Sequence, residues 1–361
     1  QSRRFEGQQL SPETARAIKL IKLMTAMPAP RDPAKLEELT QIATRMEGMY
    51  GAGAYCTGEG DAKVCRDIGQ LSEVLATSRD YEAQLEAWQG WHTISQPMRK
   101  DYVRFVELVN EGARDMGFAD AGEVWRSGYD MSPAELSAET DRLWDQVKPL
   151  YEQLHCYARG KLDATYGKDK GQVAGGLLPA HLMGNLWQQD WGNLWDLMQP
   201  YPGAGSLDVN SALRAMAQAD LASERAKPAV TGASAAQREV DATRAAAVAT
   251  AKKMTERAED FYVSLGMPKL PQTYWERTQF TKPLERDVVC HASAWDMNMA
   301  GDVRTKMCIT PTEEEFTTIY HELGHIYYYL AYNKLPPLFQ GGAHDGFQEA
   351  IGDTIVLAMT P

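Results

Sequence analysis

The stretch His321-Glu322-Leu323-Gly324-His325 decides how the rest of the chain reads. On a helix, two histidines four apart project from one face, so both imidazoles can reach a single metal ion. Glu322 then sits about 100° around the axis, within reach of a water beside that ion but not of the ion itself. The surrounding helix is well signalled: Thr310 as cap, Pro311 in the first turn where a missing N–H costs nothing, and Glu313 closing a capping box. It is expected to end near Tyr332, ahead of Leu335-Pro336-Pro337.

A hydrolytic zinc site needs three protein ligands and one open position for water. Glu349 is the candidate third ligand. Its segment, from Gly341 to Asp353, reads as a glycine-rich turn opening a second helix, with Glu349 and Asp353 four apart on one face. Asp353 is placed to accept the free ring N–H of a ligating histidine, which fixes its tautomer. The plainer alternatives are two ordinary histidines on a helix and a solvated acid at Asp353.

Composition narrows the class. A chain of 361 residues, 44% hydrophobic and 24% charged, has ordinary globular composition. A net charge of -12 argues against nucleic acid and against a polybasic membrane surface. No apolar run approaches the roughly 20 residues that span a bilayer, and no signal peptide is visible. The five cysteines form two local pairs, Cys56 with Cys65 and Cys290 with Cys308, and leave Cys156 in a helical pattern. They read either as two stapled loops or as five reduced thiols.

Along the chain almost every stretch reads as helix. Ser11-Pro12 and Asp32-Pro33 open two helices expected to pair as a hairpin across Pro28-Ala29-Pro30. From Asp80 to about Asn110 a helical pattern, interrupted at Ser95-Gln96-Pro97, carries a core-like aromatic stripe that includes Trp88, Trp91, Tyr102 and Phe105. Ser132-Pro133-Ala134-Glu135 is a second capping box. Trp187 and Trp191 read as buried packing residues, and Gln189 between them as a core amide or a substrate contact. Residues 208–265 are alanine-rich, with a break over 227–234, and read as a surface helical excursion. Asp287 to Ala292 turns strand-like, the expected edge of a small sheet able to pair with an extended peptide.

Glu349 following His325 by 24 positions, His291-Ala292-Ser293-Ala294-Trp295-Asp296, Trp187-Gln188-Gln189-Asp190-Trp191 and Trp125-Arg126-Ser127-Gly128-Tyr129 together resemble the angiotensin-converting enzyme family of zinc peptidyl-dipeptidases. The resemblance implies a mainly α, two-lobed metallopeptidase with a deep central cleft, a helical lid and a small β-sheet near the active site. It implies one peptidase domain over 1–361, incomplete at both ends relative to the family, with 1–55 as lid helices and 56–361 as the N-terminal lobe and ligand helices. Zinc would be held by His321, His325 and Glu349, with Asp353 behind them and Glu322 as the base. His291 would bind a substrate carbonyl, Ala292 would offer backbone contacts, and Gln189 would bind the terminal carboxylate. Thr317 and Thr318, one turn before His321 and Glu322, would face the leaving dipeptide where relatives carry valine.

The same resemblance implies disulfides Cys56–Cys65 and Cys290–Cys308, hence a secreted or periplasmic protein. The lack of any Asn-x-Ser/Thr sequence leans toward a bacterial homologue. Chloride is in doubt because His92 stands where chloride-dependent relatives carry arginine; Tyr129 matches a residue near their other anion site. The expected function is release of C-terminal dipeptides from oligopeptides. A different helical oligopeptidase or carboxypeptidase, or a noncatalytic peptide-binding module, are the alternatives. Further substrate-binding and oxyanion-stabilising groups of the family are expected beyond Pro361.

Overall fold

Helical signals dominate the sequence, and helices dominate the structure. The computed structural model describes residue 5 and residues 7–189, 191–201, 207–228, 232 and 234–359. Asp190 of the tryptophan-rich segment and residues 229–231 and 233 of the expected break lie outside the described residues. The chain divides into two units, Gln1–Lys22 with Gly205–Pro361, and Leu23–Ala204. The first helix, α1 (Pro12–Leu23), falls almost wholly in the former.

The unit Leu23–Ala204 holds α2 (Pro33–Gly51), the hairpin β1 (Tyr55–Thr57) and β2 (Val64–Arg66), and α3 (Ile68–Thr77), α4 (Tyr81–Ile94) and α5 (Arg99–Met116). It continues through α6 (Ala121–Arg126), α7 (Pro133–Tyr166) and the short α8 (Lys168–Gly171) and α9 (Trp195–Met198). The expected partner of α2 was α1, but α2 packs on α5: Leu39 and Ile42 meet Leu108, Val109 and Ala113 in one buried cluster. The backbone at Pro28 crosses α5 at Gly112, where a Cβ would stand 2.4 Å from the Pro28 carbonyl oxygen, so the segment lies against a helix instead of forming a simple turn.

Cys56 stands directly opposite Cys65 across β1 and β2, and the two are joined by a disulfide. Helix α7 begins with both arms of its capping box in place, Ser132 Oγ accepting from Glu135 N–H and Glu135 accepting from Ser132 N–H. Two expected core residues face solvent: Trp187 is 43% exposed, and Tyr102 is 60% exposed because α5 buries Leu108, Val109, Gly112 and Ala113 instead. Gln189 is also exposed, so burial demands no partner of it.

The other unit is built on α10 (Val209–Arg225), α11 (Ala235–Ser264), α12 (Gln272–Arg277), the hairpin β3 (Ser293–Asp296) and β4 (Val303–Lys306), α13 (Glu313–Tyr332) and α14 (Asp345–Leu357). The alanine-rich stretch is not a surface excursion. Ala246, Ala251, Met254, Ala258 and Tyr262 of α11 are buried, and most of them join Ile319, Leu323 and Ile326 of α13 in the main core. Small side chains let the two helices approach closely, so low complexity here reflects packing.

The strand also falls later than expected, at Ser293–Asp296 instead of 287–292. Backbone pairing explains the shift: β4 is bonded on one side to β3 and on the other to Gln279, whose N–H donates to Thr305 O at 3.0 Å. No strand partner among the described residues reaches 287–290, which instead is tied through the Cys290–Cys308 disulfide. No helix among the described residues is long and apolar enough to cross a membrane.

Candidate metal centre

Helix α13 presents the two histidines. Its cap is Thr312, whose hydroxyl accepts from Glu315 N–H at 3.3 Å, not Thr310 as the sequence suggested. Asn210 of α10 accepts the N–H of Glu313, so the free donors of the first turn are met from the side and the helix starts two residues later. The ligand-bearing turn is unaffected: Glu322, Leu323, Gly324 and His325 are buried and His321 is partly so.

Two glycines set the distance between α13 and α14. A Cβ at Gly324 would lie 3.0 Å from Gly352 Cα, and a Cβ at Gly352 would lie 2.7 Å from His321 Nδ1. The helices therefore meet glycine to glycine, and the His321 ring rests on the bare backbone of Gly352. This contact carries Glu349 and Asp353 to the histidines. The sequence held that signal in two helix-interior glycines, which are costly in a helix without a packing reason.

His321 Nε2 lies 3.0 Å from His325 Nε2 and 3.2 Å from Glu349 Oε2, and His325 Nε2 lies 3.7 Å from Glu349 Oε1. Donors bound to zinc at 2.0–2.1 Å in a tetrahedron are separated by about 3.3 Å, so this group has the span that such an ion needs. His321 Nδ1 is 3.1 Å from Asp353 Oδ1. A neutral His321 that donates Nδ1–H to Asp353 presents its Nε2 lone pair to the shared point. Burial, then the neighbouring His321, lowers the pKa of His325 and favours the neutral, ligand-competent ring.

Glu322 is 5% exposed, and its Oε2 has no hydrogen-bond partner among the described residues. Burial, with the charge of Glu349 adding to it, raises its carboxyl to about 7.

The other predicted residues are placed separately. Thr317 and Thr318 lie on α13, and the Thr318 hydroxyl donates to its own helix at Glu314 O, 3.0 Å away. His291 is exposed with Nδ1 3.1 Å from Ala292 O, just ahead of β3. Met297 N–H donates to Asp302 O, so by alternation Ala294 turns its backbone to the outer edge of β3, where its carbonyl accepts from Tyr329 OH of α13 at 3.2 Å. Gln189 belongs to the Leu23–Ala204 unit. In that unit His92 donates Nδ1–H to Trp88 O at 2.6 Å, with its ring 4.1 Å from the Trp88 ring and tilted 32° to it.

A helix carrying His-Glu-x-x-His, crossed glycine to glycine by a second helix that brings a third donor, defines a helical metallopeptidase-type site. The family model described as angiotensin-converting enzyme matches residues 1–361, and the chain belongs to that family of metallopeptidases. It is 36% identical over 330 residues to angiotensin-converting enzyme of Sus scrofa, covering 91% of this chain and 23% of that protein. Against the enzyme of Oryctolagus cuniculus it is 33% identical over 362 residues, 99% of this chain and 25% of the relative. Against that of Theromyzon tessulatum it is 35% identical over 347 residues, 94% of this chain and 50% of the relative. The chain thus spans about a quarter of the two mammalian relatives and half of the third.

Proposed function

We propose that the protein is a zinc-dependent peptidyl-dipeptidase that releases C-terminal dipeptides from oligopeptides outside the cytoplasm. The observation that carries the reading is the set of three donors spaced for one tetrahedral ion beside a buried, unpartnered glutamate. His321, His325 and Glu349 would hold the zinc, which when bound supplies a Lewis acid and lowers a water's pKa toward about 7. Asp353 holds the His321 tautomer. Glu322, with a carboxyl near 7 and a free Oε2, takes the proton of the attacking water and passes it to the leaving amine. Its burial matters because a base matched to neutral pH both accepts and returns that proton.

Dipeptide release and the roles of His291, Ala292 and Gln189 rest on family membership. Apart from Ala294 O, which already accepts from Tyr329 OH, the outer edge of β3 has no strand partner among the described residues, which supports the backbone part of that reading, since an extended peptide can add to such an edge. Thr318 is committed to its own helix, so of the two threonines Thr317 is the one proposed to tune the preference for the penultimate residue. The two disulfides support an oxidising compartment.

The test is product analysis by mass spectrometry on N-blocked oligopeptides, with Glu322→Gln alongside. Wild type is expected to yield dipeptides in a zinc-dependent way. The variant should keep zinc and lose turnover by at least about 100-fold, the scale of a positioned general base. Single amino acids or internal fragments as products would defeat the dipeptidase reading, and a fully active Glu322→Gln protein would defeat the assigned base.

A further inference from the structure

We infer that Tyr262 is a positioning residue for the metal-binding turn of α13, an inference that rests on the zinc reading above. Tyr262 sits on α11, is 2% exposed, and donates its hydroxyl to the backbone oxygen of Tyr320 at 2.7 Å. That oxygen belongs to the peptide group immediately before His321. Within the helix it also accepts the N–H of residue 324, so the phenol supplies a second, lateral donor to one carbonyl. The tilt of this peptide plane sets the direction in which the His321 side chain leaves the backbone, and a lateral donor fixes the tilt.

The approach depends on Gly324. A Cβ there would stand 3.2 Å from the Tyr262 hydroxyl and 3.0 Å from Gly352 Cα. One glycine thus opens α13 on two sides, to Gly352 of α14 and to Tyr262 of α11. The phenol has little freedom to turn away, because its ring stacks on Tyr327 with centroids 4.4 Å apart and planes 22° apart. His321 is therefore held twice: its ring by Gly352 and Asp353, its peptide by Tyr262.

Tyr327 provides an internal control. Its hydroxyl is buried in the same stack but has no hydrogen-bond partner among the described residues, so removing it takes away volume and polarity without touching α13's carbonyls. Tyr262→Phe and Tyr327→Phe should be compared with wild type by chelator-competition zinc titration, by the visible spectrum of the cobalt-substituted protein, and by hydrogen exchange of the metal-free protein across residues 320–325. Tyr262→Phe is expected to weaken zinc by about 10-fold, the lower end for groups behind a ligand, to shift the cobalt bands, and to speed exchange at Gly324. Tyr327→Phe should match wild type in all three.

Wild-type affinity and an unchanged cobalt spectrum in Tyr262→Phe would overturn the inference and leave the zinc site standing. Equal impairment in both variants would overturn it too, since packing alone would then account for the effect. A wild-type protein that takes up neither zinc nor cobalt would sink the zinc reading and this inference together.

Discussion

Gly352 and Glu349 act on the same histidine at different atoms, Gly352 against the ring near Nδ1 and Glu349 at Nε2, and their substitutions separate folding from metal binding. Alanine at 352 favours the helix by about 1 kcal/mol over glycine, but its Cβ would meet the His321 ring at 2.7–2.9 Å. A rigid neighbour would make that overpacking cost about 1–3 kcal/mol. An imidazole can rotate away, so Gly352→Ala is expected to leave thermal stability within about 1 kcal/mol of wild type while weakening zinc more than 10-fold. Glu349→Ala removes a donor from a side chain that is 67% exposed, so it too should spare the fold and lose the metal. Zinc analysis after gel filtration, with melting curves of the metal-free proteins, checks both. A Gly352→Ala protein that retains zinc at wild-type affinity would refute the idea that the bare backbone is there for His321.

At the scale of elements, the cap of α13 allows a two-residue discrimination. Thr312→Ala should cost about 1 kcal/mol, because its hydroxyl meets Glu315 N–H, whereas Thr310→Ala should be close to neutral. The reverse result in denaturant melts would restore the cap read from sequence. That misplacement is instructive, since Thr310-Pro311-Thr312-Glu313 satisfies the capping-box pattern and the competing acceptor for the Glu313 N–H comes from Asn210, 103 residues away in sequence. Local pattern did reveal what is local: the helix bearing His321 and His325, the helix bearing Glu349 and Asp353, and the capping box of α7; the two disulfides rested on the family resemblance. What it missed depends on which helices meet. Tyr262 looked like one aromatic among many, Gly324 and Gly352 like two glycines, and the alanines of α11 like filler. Each acquires meaning only from the packing of α11, α13 and α14.

At the scale of the whole molecule, the two units carry buried titratable groups of opposite sense. In the unit that includes residues 205–361, burial, with Glu314 adding, raises the Glu315 carboxyl to about 7 from 4.5. Its folded pKa lies above the unfolded one, so its stabilisation is full below pH 4.5 and is lost as pH rises through about 7. The change is on the order of 3 kcal/mol. In the unit Leu23–Ala204, burial lowers the His181 imidazole to about 4 from 6.5, with Glu82 opposing. His181 is 5% exposed, its Nε2 has no partner among the described residues, and its ring stands edge-on to Tyr81 at 4.5 Å, so a proton there would create an unpaired buried charge. This folded pKa lies below the unfolded one, so the stabilisation is full above pH 6.5 and is lost as pH falls through about 4. Between pH 4.5 and 6.5 the two units should therefore respond in opposite directions in the metal-free protein. Hydrogen exchange, corrected for the intrinsic effect of pH on amide rates, should show protection of α11 falling and of α4 and α5 rising as pH increases across that window. Glu315→Gln should reduce the first response, leaving the part due to Glu322, whose carboxyl burial also raises to about 7 in the same unit, and His181→Phe should flatten the second, each without altering the other. Parallel pH responses in the two units, or profiles unmoved by either substitution, would show that these groups do not set the balance.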